Sequence, residues 1–114
     1  MEGRKPLVWS PAAAQDLLDI WRYFARVAAP EVADTLLREI ENAAGRLSEN
    51  PLLGRLRLDI TTGLFGDVRS VRAHPYSLFY RLSDRAIQIV RVLHERQDIP
   101  LILAEARHST RPLY

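Results

Sequence analysis

The chain has 114 residues, of which 47% are hydrophobic and 26% are charged. This length fits a single domain, and this balance is typical of a globular protein rather than of a disordered one. It contains no cysteine, which excludes disulfides, thiolate nucleophiles and cysteine-ligated zinc. No apolar run approaches the roughly 20 residues that cross a bilayer. We therefore expect one cytoplasmic domain over residues 1–114, with 1–5 and 108–114 as flexible tails.

The net charge of +2 is distributed unevenly along the chain. Residues 1–50 carry a net charge of −2, whereas residues 51–114 carry +4, and 15 of the 16 basic residues are arginine. Arginine is suited to planar, bidentate contacts with carboxylate or phosphate groups. The second half is therefore the better candidate for a surface that binds an acidic partner.

The first half reads as a strand followed by two helices. The apolar run at residues 7–9 ends at Ser10 and Pro11, a pair that suits the N-cap and first turn of a helix. Apolar residues then recur at spacings of three and four, which predicts an amphipathic helix of about five turns. Pro30 interrupts this pattern and suits the start of a second helix, which ends near Asn50.

The second half reads as a loop followed by strands. Residues 52–66 contain three glycines among apolar residues and arginines, which predicts an ordered loop with room for a short strand. Runs at 68–73, 76–82 and 86–95 predict three strands, and their short connections predict antiparallel hairpins. The last run is the most β-prone and is expected to be central. A short C-terminal helix is expected at 99–107.

These elements predict an α+β fold of order β-α-α-β-β-β. The N-terminal strand and the helical hairpin pack on a small twisted antiparallel sheet, which leaves the other face or the edge of the sheet free for a partner. Both tryptophans fall on the apolar sides of their elements, and we interpret Trp9 and Trp21 as core residues. The predicted core comprises Leu17, Ile20, Trp21, Phe24, Leu36, Leu37, Ile40, Leu47, Val71, Leu78, Tyr80, Ile89 and Leu93.

Several short fragments occur in an ordered series: Trp9-Ser10-Pro11-Ala12-Ala13, Asp16-Leu17, Ile20-Trp21, Tyr23, Asn50-Pro51, Gly54-Arg55, Val71-Arg72, Tyr76, Phe79-Tyr80-Arg81, the run from Ile87 to His94, and Arg96-Gln97-Asp98. Together, over residues 7–98, they resemble the ParE/RelE toxin superfamily and its ParE branch in particular. The resemblance implies the toxin of a type II toxin–antitoxin system, neutralised by a ParD-like antitoxin whose disordered C-terminal segment folds onto it. ParE-like members inhibit DNA gyrase without a recognised catalytic site, whereas RelE-like members cleave mRNA on the ribosome.

The residues favour inhibition of gyrase over cleavage of mRNA. Cleavage of RNA needs a general base, cationic donors and a general acid. Arg72 and Arg96 occupy positions where RelE-like toxins carry arginine, and His94 has a suitable intrinsic pKa. However, no lysine follows Lys5, and residues 99–107 contain no tyrosine. Two alternatives remain: a ribonuclease that uses Arg72, His94 and Arg96, and a non-toxic interaction module. A purely structural interpretation of His94 is a hydrogen-bonded residue at the end of a strand.

The arginines of the strands form the predicted binding surface. Antiparallel pairing would gather several of them into one patch, although acidic residues nearby in sequence, Asp67, Asp84, Glu95 and Asp98, could pair with them instead. His74 and His108 have no spacing that predicts a metal site, so neither metal nor cofactor is expected, nor is sequence-specific binding of nucleic acid. The predicted antitoxin- or target-binding residues are Leu17, Trp21, Arg69, Arg72, Tyr76, Arg81, Arg91, His94 and Arg96.

The predicted antitoxin segment is a helix followed by an extended stretch. Its apolar side chains would lie along the helical hairpin, while its carboxylates would meet Arg72, Arg81 or Arg91.

Overall fold

The computed structural model describes residues 5–58 and 67–107, which form three helices and five strands. In chain order these are β1 (Leu7–Trp9), α1 (Pro11–Val27), α2 (Pro30–Glu49), β2 (Arg55–Leu56), β3 (Arg69–Ala73), β4 (Tyr76–Leu82), β5 (Ile87–His94) and α3 (Ile99–Arg107). The predicted helices and strands are thus present. Of the predicted tails, residues 1–4 and 108–114 lie outside the described residues, whereas Lys5 is anchored because its Nζ donates to Ser83 O at 2.8 Å.

The five strands form one sheet in the order β1-β5-β4-β3-β2. The pairs from β2 to β5 are antiparallel, but β1 runs parallel to β5. The predicted antiparallel sheet is thus present in β2 to β5, but β1 joins it as a parallel edge strand that the sequence did not predict, and the sheet is mixed. No tight turn joins β1 to β5, since the hairpin and three strands lie between them, so the connection does not impose an antiparallel arrangement. β5 lies inside the sheet, as its β-prone sequence predicted.

Ser10 joins the start of α1 to the sheet. Its Oγ accepts a hydrogen bond from Ala13 N at 3.0 Å, which caps the helix, and donates to Val90 O at 2.8 Å. Its backbone N donates to Ile89 O at 3.0 Å. Because Ser10 is fully buried, this one side chain fixes both where α1 begins and how it is oriented on β5.

The larger core lies between the helical hairpin and one face of the sheet. Apolar residues of α1 and α2 pack there against Leu78, Tyr80 and Ile89. Trp21 is half-buried at the margin of the hairpin, where its Nε1 donates to Asp34 Oδ1 at 2.8 Å and links the two helices. The predicted core residues that are only partly buried and pack against this cluster are Leu17, Phe24, Leu37 and Val71, together with Trp9.

A second apolar cluster covers the opposite face of the sheet. Phe79, Val90 and Leu93 pack there with Leu103 of α3. Leu93, which we expected in the same core as the hairpin residues, belongs to this second cluster. The opposite face is thus not wholly free, because α3 folds back over part of it.

An irregularity in β5 explains how its residues divide between the two faces. Phe79 pairs with Arg91 and Tyr80 pairs with Ile89, so Val90 is left without a partner in the ladder. Such a bulge shifts the alternation of side chains by one residue. Ile89 and Val92 therefore both contribute to the hairpin-side core, while Val90 contributes to the cluster under α3.

Candidate interaction site

Arg91 is held by a carboxylate of the first helix. Its Nε and its NH2 group donate to the two oxygens of Asp16, each at 2.8 Å, and Val92 N donates to Asp16 Oδ2 at 2.9 Å. The hydrogen bond to Asp16 raises the pKa of Arg91 despite partial burial, which opposes the charge, and electrostatic attraction to the carboxylate adds to the rise. Asp16 is not among the acidic residues that the sequence suggested as partners of the strand arginines, because it lies far from Arg91 along the chain. The guanidinium of Arg91 thus secures α1 to β5.

Arg72 forms a surface cluster with Glu95 and His74. Its guanidinium donates to Glu95 Oε1, and His74 Nδ1 lies 3.2 Å from the same oxygen. Loss of water around the Glu95 carboxylate opposes its charge. The hydrogen bonds from His74 and Arg72, with electrostatic attraction, outweigh this effect and lower the pKa of Glu95. Arg72 therefore already has an anionic partner within the chain, as the alternative of internal pairing anticipated.

The other predicted arginines have different environments. Arg69 NH1 donates to Gly54 O at 3.0 Å, and Arg81 Nε donates to Gln88 Oε1 at 2.6 Å. The side chain of Arg96 has no hydrogen-bond or ion-pair partner among residues 5–58 and 67–107. The contacts of the predicted arginines therefore differ from one residue to the next.

The three residues of the alternative ribonuclease site are not assembled. Arg72 lines a cleft of about 460 Å³ beside α3, together with Arg55, Arg57, Ser70, Ser77, Glu95 and Ile99. His94 instead lines a pocket beside α1. Its Nδ1 accepts a hydrogen bond from Arg96 N at 3.0 Å, and its ring contacts the Tyr76 ring edge to face, with centroids 5.3 Å apart. Arg72 and His94 therefore lie on opposite faces of the sheet.

The pocket beside α1 brings together three of the predicted site residues, Tyr76, Arg91 and His94. It has a volume of about 280 Å³ and lies between α1 and the end of β5. The sequence prediction missed its remaining residues, although spacings of three and four along α1 place several of them on one side of that helix. They are Asp16, Asp19, Ile20, Tyr23, Val92 and Gln97.

An apolar pocket of about 510 Å³ lies next to it, where the hairpin meets the turn between β3 and β4. It was not predicted from the sequence. Val32, which is 47% exposed, forms part of its floor. Leu17 and Trp21, the predicted apolar docking residues, lie elsewhere, since Leu17 packs on the core and Trp21 bonds to Asp34. The pocket is lined by Phe24, Glu31, Val32, Thr35, Leu36, Glu39 and Pro75.

The part of the chain that the structure describes contains no group of three or more metal-binding side chains. Within the same residues, no helix is long and apolar enough to cross a membrane.

Comparison with known proteins places this α+β architecture in a class of small toxins. The family model described as the ParE toxin of the type II toxin–antitoxin system parDE matches residues 7–99. Toxin ParE1 of Mycobacterium tuberculosis (strain H37Rv) is 36% identical over 91 residues, which cover 79% of this chain and 89% of the relative. Toxin ParE3 of Caulobacter vibrioides is 33% identical over 84 residues, covering 74% and 80%.

A solved structure described as the chromosomal ParDE TA system from P. aeruginosa aligns with a TM-score of 0.69 and 25% identity. The alignment covers 82% of this chain and 98% of that one. This chain belongs to the ParE toxin family of type II toxin–antitoxin systems.

Proposed function

We propose that this toxin inhibits DNA gyrase by direct protein contact and that a ParD-like antitoxin neutralises it. The chain acts without cofactor or catalytic site and forms one domain over residues 1–114. Family membership supports the toxin–antitoxin assignment. The choice of gyrase over the ribosome rests on the arrangement of the residues that RNA cleavage would require.

The observation that carries this choice is the separation of Arg72 from His94. General acid–base catalysis needs the proton-transferring group within hydrogen-bond reach of the reacting atoms, and the cationic donors must surround the same phosphate. Here the sheet lies between the cleft that contains Arg72 and the pocket that contains His94. Arg72 also forms an ion pair with Glu95, so its charge already has a counter-charge. This arrangement favours a protein that acts through its surface over a nuclease.

Two assays on the purified chain test the target. In one, gyrase supercoils a relaxed plasmid in the presence of increasing toxin. In the other, ribosomes translate a defined mRNA, and cleaved transcripts are mapped. We expect gyrase inhibition with accumulation of cleaved plasmid, and intact mRNA at the same toxin concentrations. Cleaved mRNA at concentrations that leave gyrase fully active would contradict the proposal.

Induced expression without antitoxin tests toxicity itself. A gyrase inhibitor should cause filamentation and a DNA-damage response, whereas a ribosome-dependent nuclease should stop translation rapidly. Normal growth, with the folded chain present in the cells, would instead indicate the non-toxic interaction module. Co-expression of the antitoxin should restore growth if the filamentation arises from the toxin.

The antitoxin surface that the structure supports best is centred on the apolar pocket between the hairpin and Pro75. Apolar side chains buried there contribute about 25 cal/mol per Å², which must offset the several kcal/mol that folding of a disordered segment costs. Arg72 and Arg91 already have carboxylate partners, so an acidic segment must compete with Glu95 or Asp16 to bind them.

A further inference from the structure

Tyr76 has an unusual environment in the pocket beside α1, which it helps to line. The residue is only 8% exposed, yet its hydroxyl has no hydrogen-bond partner among the residues that the structure describes. Burial, and then the nearby Tyr23, raise the pKa of the Tyr76 phenol. Buried hydroxyls are nearly always hydrogen-bonded, because an unsatisfied one retains its desolvation cost. A buried phenol that lines an open pocket therefore indicates a group that a partner satisfies.

The charges around this phenol favour a cationic group. Asp16 and Arg91 both line the pocket, but their bidentate ion pair uses both carboxylate oxygens and cancels their charges. Asp19 is the remaining charged residue, and it is exposed. One of its oxygens accepts from Gln15 Nε2 at 2.8 Å, a neutral donor that leaves the negative charge uncompensated. The side chains that line the pocket therefore carry a net negative charge, which disfavours a carboxylate.

Aromatic rings supply a second attraction for a cation. Tyr23, Tyr76 and His94 all line the pocket, and the faces of such rings attract ammonium and guanidinium groups. The Tyr23 ring already has a guanidinium of this chain nearby, since Arg26 Cζ lies 5.9 Å from its centroid. His94 Nδ1 accepts a hydrogen bond from the Arg96 amide, which leaves Nε2 as the protonated nitrogen of the neutral tautomer.

We propose that this pocket binds an arginine or lysine side chain that the antitoxin inserts between α1 and the end of β5. The cationic head lies against Asp19 and the aromatic rings, and it donates a hydrogen bond to the Tyr76 hydroxyl. Naming the antitoxin as the source rests on the proposed function. The adjacent apolar pocket supports it, since Phe24 and Pro75 line that pocket and their sequence neighbours Tyr23 and Tyr76 line this one. One amphipathic segment can therefore occupy both.

The first test uses small probes and does not require the antitoxin. Nα-acetyl-arginine amide and Nα-acetyl-lysine amide are titrated into the full chain while NMR follows the ring signals of its tyrosines and histidines. The matched probes are Nα-acetyl-citrulline amide, which has nearly the same shape without the charge, and Nα-acetyl-glutamate amide, which is an anion. We expect saturable shifts at Tyr23, Tyr76 and His94 with a cationic probe, and much weaker binding of the other two. Equal binding of citrulline or glutamate amide, or no saturable shift with either cation, would overturn the proposal.

Variants identify the residues responsible. Asp19→Asn and Tyr76→Phe should each weaken binding of the cationic probe by about three- to tenfold, because each removes one polar contact and leaves the rest of the pocket in place. Asp84→Asn, an exposed change in the turn before β5, is the matched control and should have no effect. Circular dichroism establishes that each variant is folded. Unchanged affinity in the folded Asp19→Asn variant would contradict the assigned role of the carboxylate.

The last test addresses the source of the cation. Calorimetric titration with the antitoxin should show at least about tenfold weaker binding to Asp19→Lys than to Asp84→Lys, because the new ammonium repels the inserted cation. If the cationic probes bind but Asp19→Lys binds antitoxin as well as the control does, the antitoxin assignment is wrong. A failure to inhibit gyrase would overturn the proposed target and would leave both binding results unaffected.

Discussion

Asp16 is a carboxylate with three hydrogen-bond donors around it, two from the Arg91 guanidinium and one from Val92 N. The side chains of Asp16 and Arg91 are 12% and 22% exposed. We expect Asp16→Asn to lower the free energy of unfolding by about 2–3 kcal/mol, because it leaves a largely buried guanidinium without its counter-charge. Urea unfolding at pH 7 measures this value. Asp84→Asn should change it by less than about 0.5 kcal/mol, and an equally small change in Asp16→Asn would show that the pair contributes little.

Tyr76 should behave in the opposite way. Because Tyr76 is 8% exposed and its hydroxyl has no hydrogen-bond partner within residues 5–58 and 67–107, we expect Tyr76→Phe to leave the free energy of unfolding unchanged or to raise it by up to about 1 kcal/mol at neutral pH. Because the pKa of the folded phenol lies above the ordinary value of 10.0, the folded chain holds this proton more tightly than the unfolded chain does. The stability of the unmodified chain relative to the Phe variant is therefore constant below pH 10 and falls as the pH rises through the folded pKa.

Alkaline unfolding therefore gives the second readout for Tyr76. The stability advantage of the Phe variant over the unmodified chain should widen between pH 9 and pH 11, as urea unfolding at each pH would measure. A marked loss of stability in Tyr76→Phe at pH 7 would indicate that the hydroxyl has a structural partner.

The turn after α2 is attached to the sheet by Tyr80. Its hydroxyl donates to Pro51 O and accepts from Gly54 N, both at 2.8 Å. A Cβ added at Gly54 would lie 2.5 Å from that hydroxyl and 2.8 Å from Ser70 O. Gly54→Ala should therefore cost about 1–3 kcal/mol, because the backbone of the turn or the buried Tyr80 must shift.

Gly45 provides a matched control on a neighbouring element. It is exposed within α2, and a Cβ added there meets nothing within 4 Å. Gly45→Ala should stabilise the chain by up to about 1 kcal/mol, because alanine has the higher helix propensity. Thermal unfolding of both variants tests the contrast. If Gly54→Ala were as stable as Gly45→Ala, the close packing of the turn against Tyr80 would be refuted.

The helices and strands could be predicted from the sequence where the pattern that specifies them lies within the element itself. The Ser10-Pro11 pair and the three- and four-residue spacings predicted α1, and alternation with β-branched residues predicted β3 to β5. The parallel pairing of β1, the bulge at Val90 and the partner of Arg91 were not predictable in this way. The β1 pairing and the Arg91 partner depend on residues 75 or more positions apart, and the bulge depends on the register between two strands. No local pattern reports which residue will be the neighbour in any of the three.

At the scale of the whole molecule, the two pockets beside the hairpin together form the surface that we propose for the antitoxin. We expect Val32→Asp to weaken antitoxin binding by more than about 100-fold, because it places an unpaired charge in an apolar contact. Leu17→Asp is a poor test, since Leu17 packs against the core and the change would impair folding. Calorimetric titration of the folded variants measures the effect.

Two further variants complete this comparison. Leu52→Asp, at a residue that is 63% exposed outside the pocket, should leave antitoxin affinity nearly unchanged. Arg81→Ala should weaken it modestly and mainly at low salt, because a charge contact at the rim of an interface is screened by ions. If Arg81→Ala abolished binding while Val32→Asp had no effect, electrostatic contacts would dominate the interface and the apolar pocket would not be its centre.

The parallel pairing of β1 with β5 determines when during synthesis the fold can be completed. β1 enters the sheet only beside β5, where Leu7 pairs with Ile87. Ser10 bonds to Val90 and Asp16 bonds to Arg91, and these partners are about as distant along the chain. A nascent chain that ends before Ile87 therefore has no native strand for its first segment. At about 5–20 residues per second, several seconds of translation separate the two strands, and the hairpin helices emerge well before the surface on which they pack. The toxin consequently cannot reach its native structure on the ribosome until nearly the whole domain has been made.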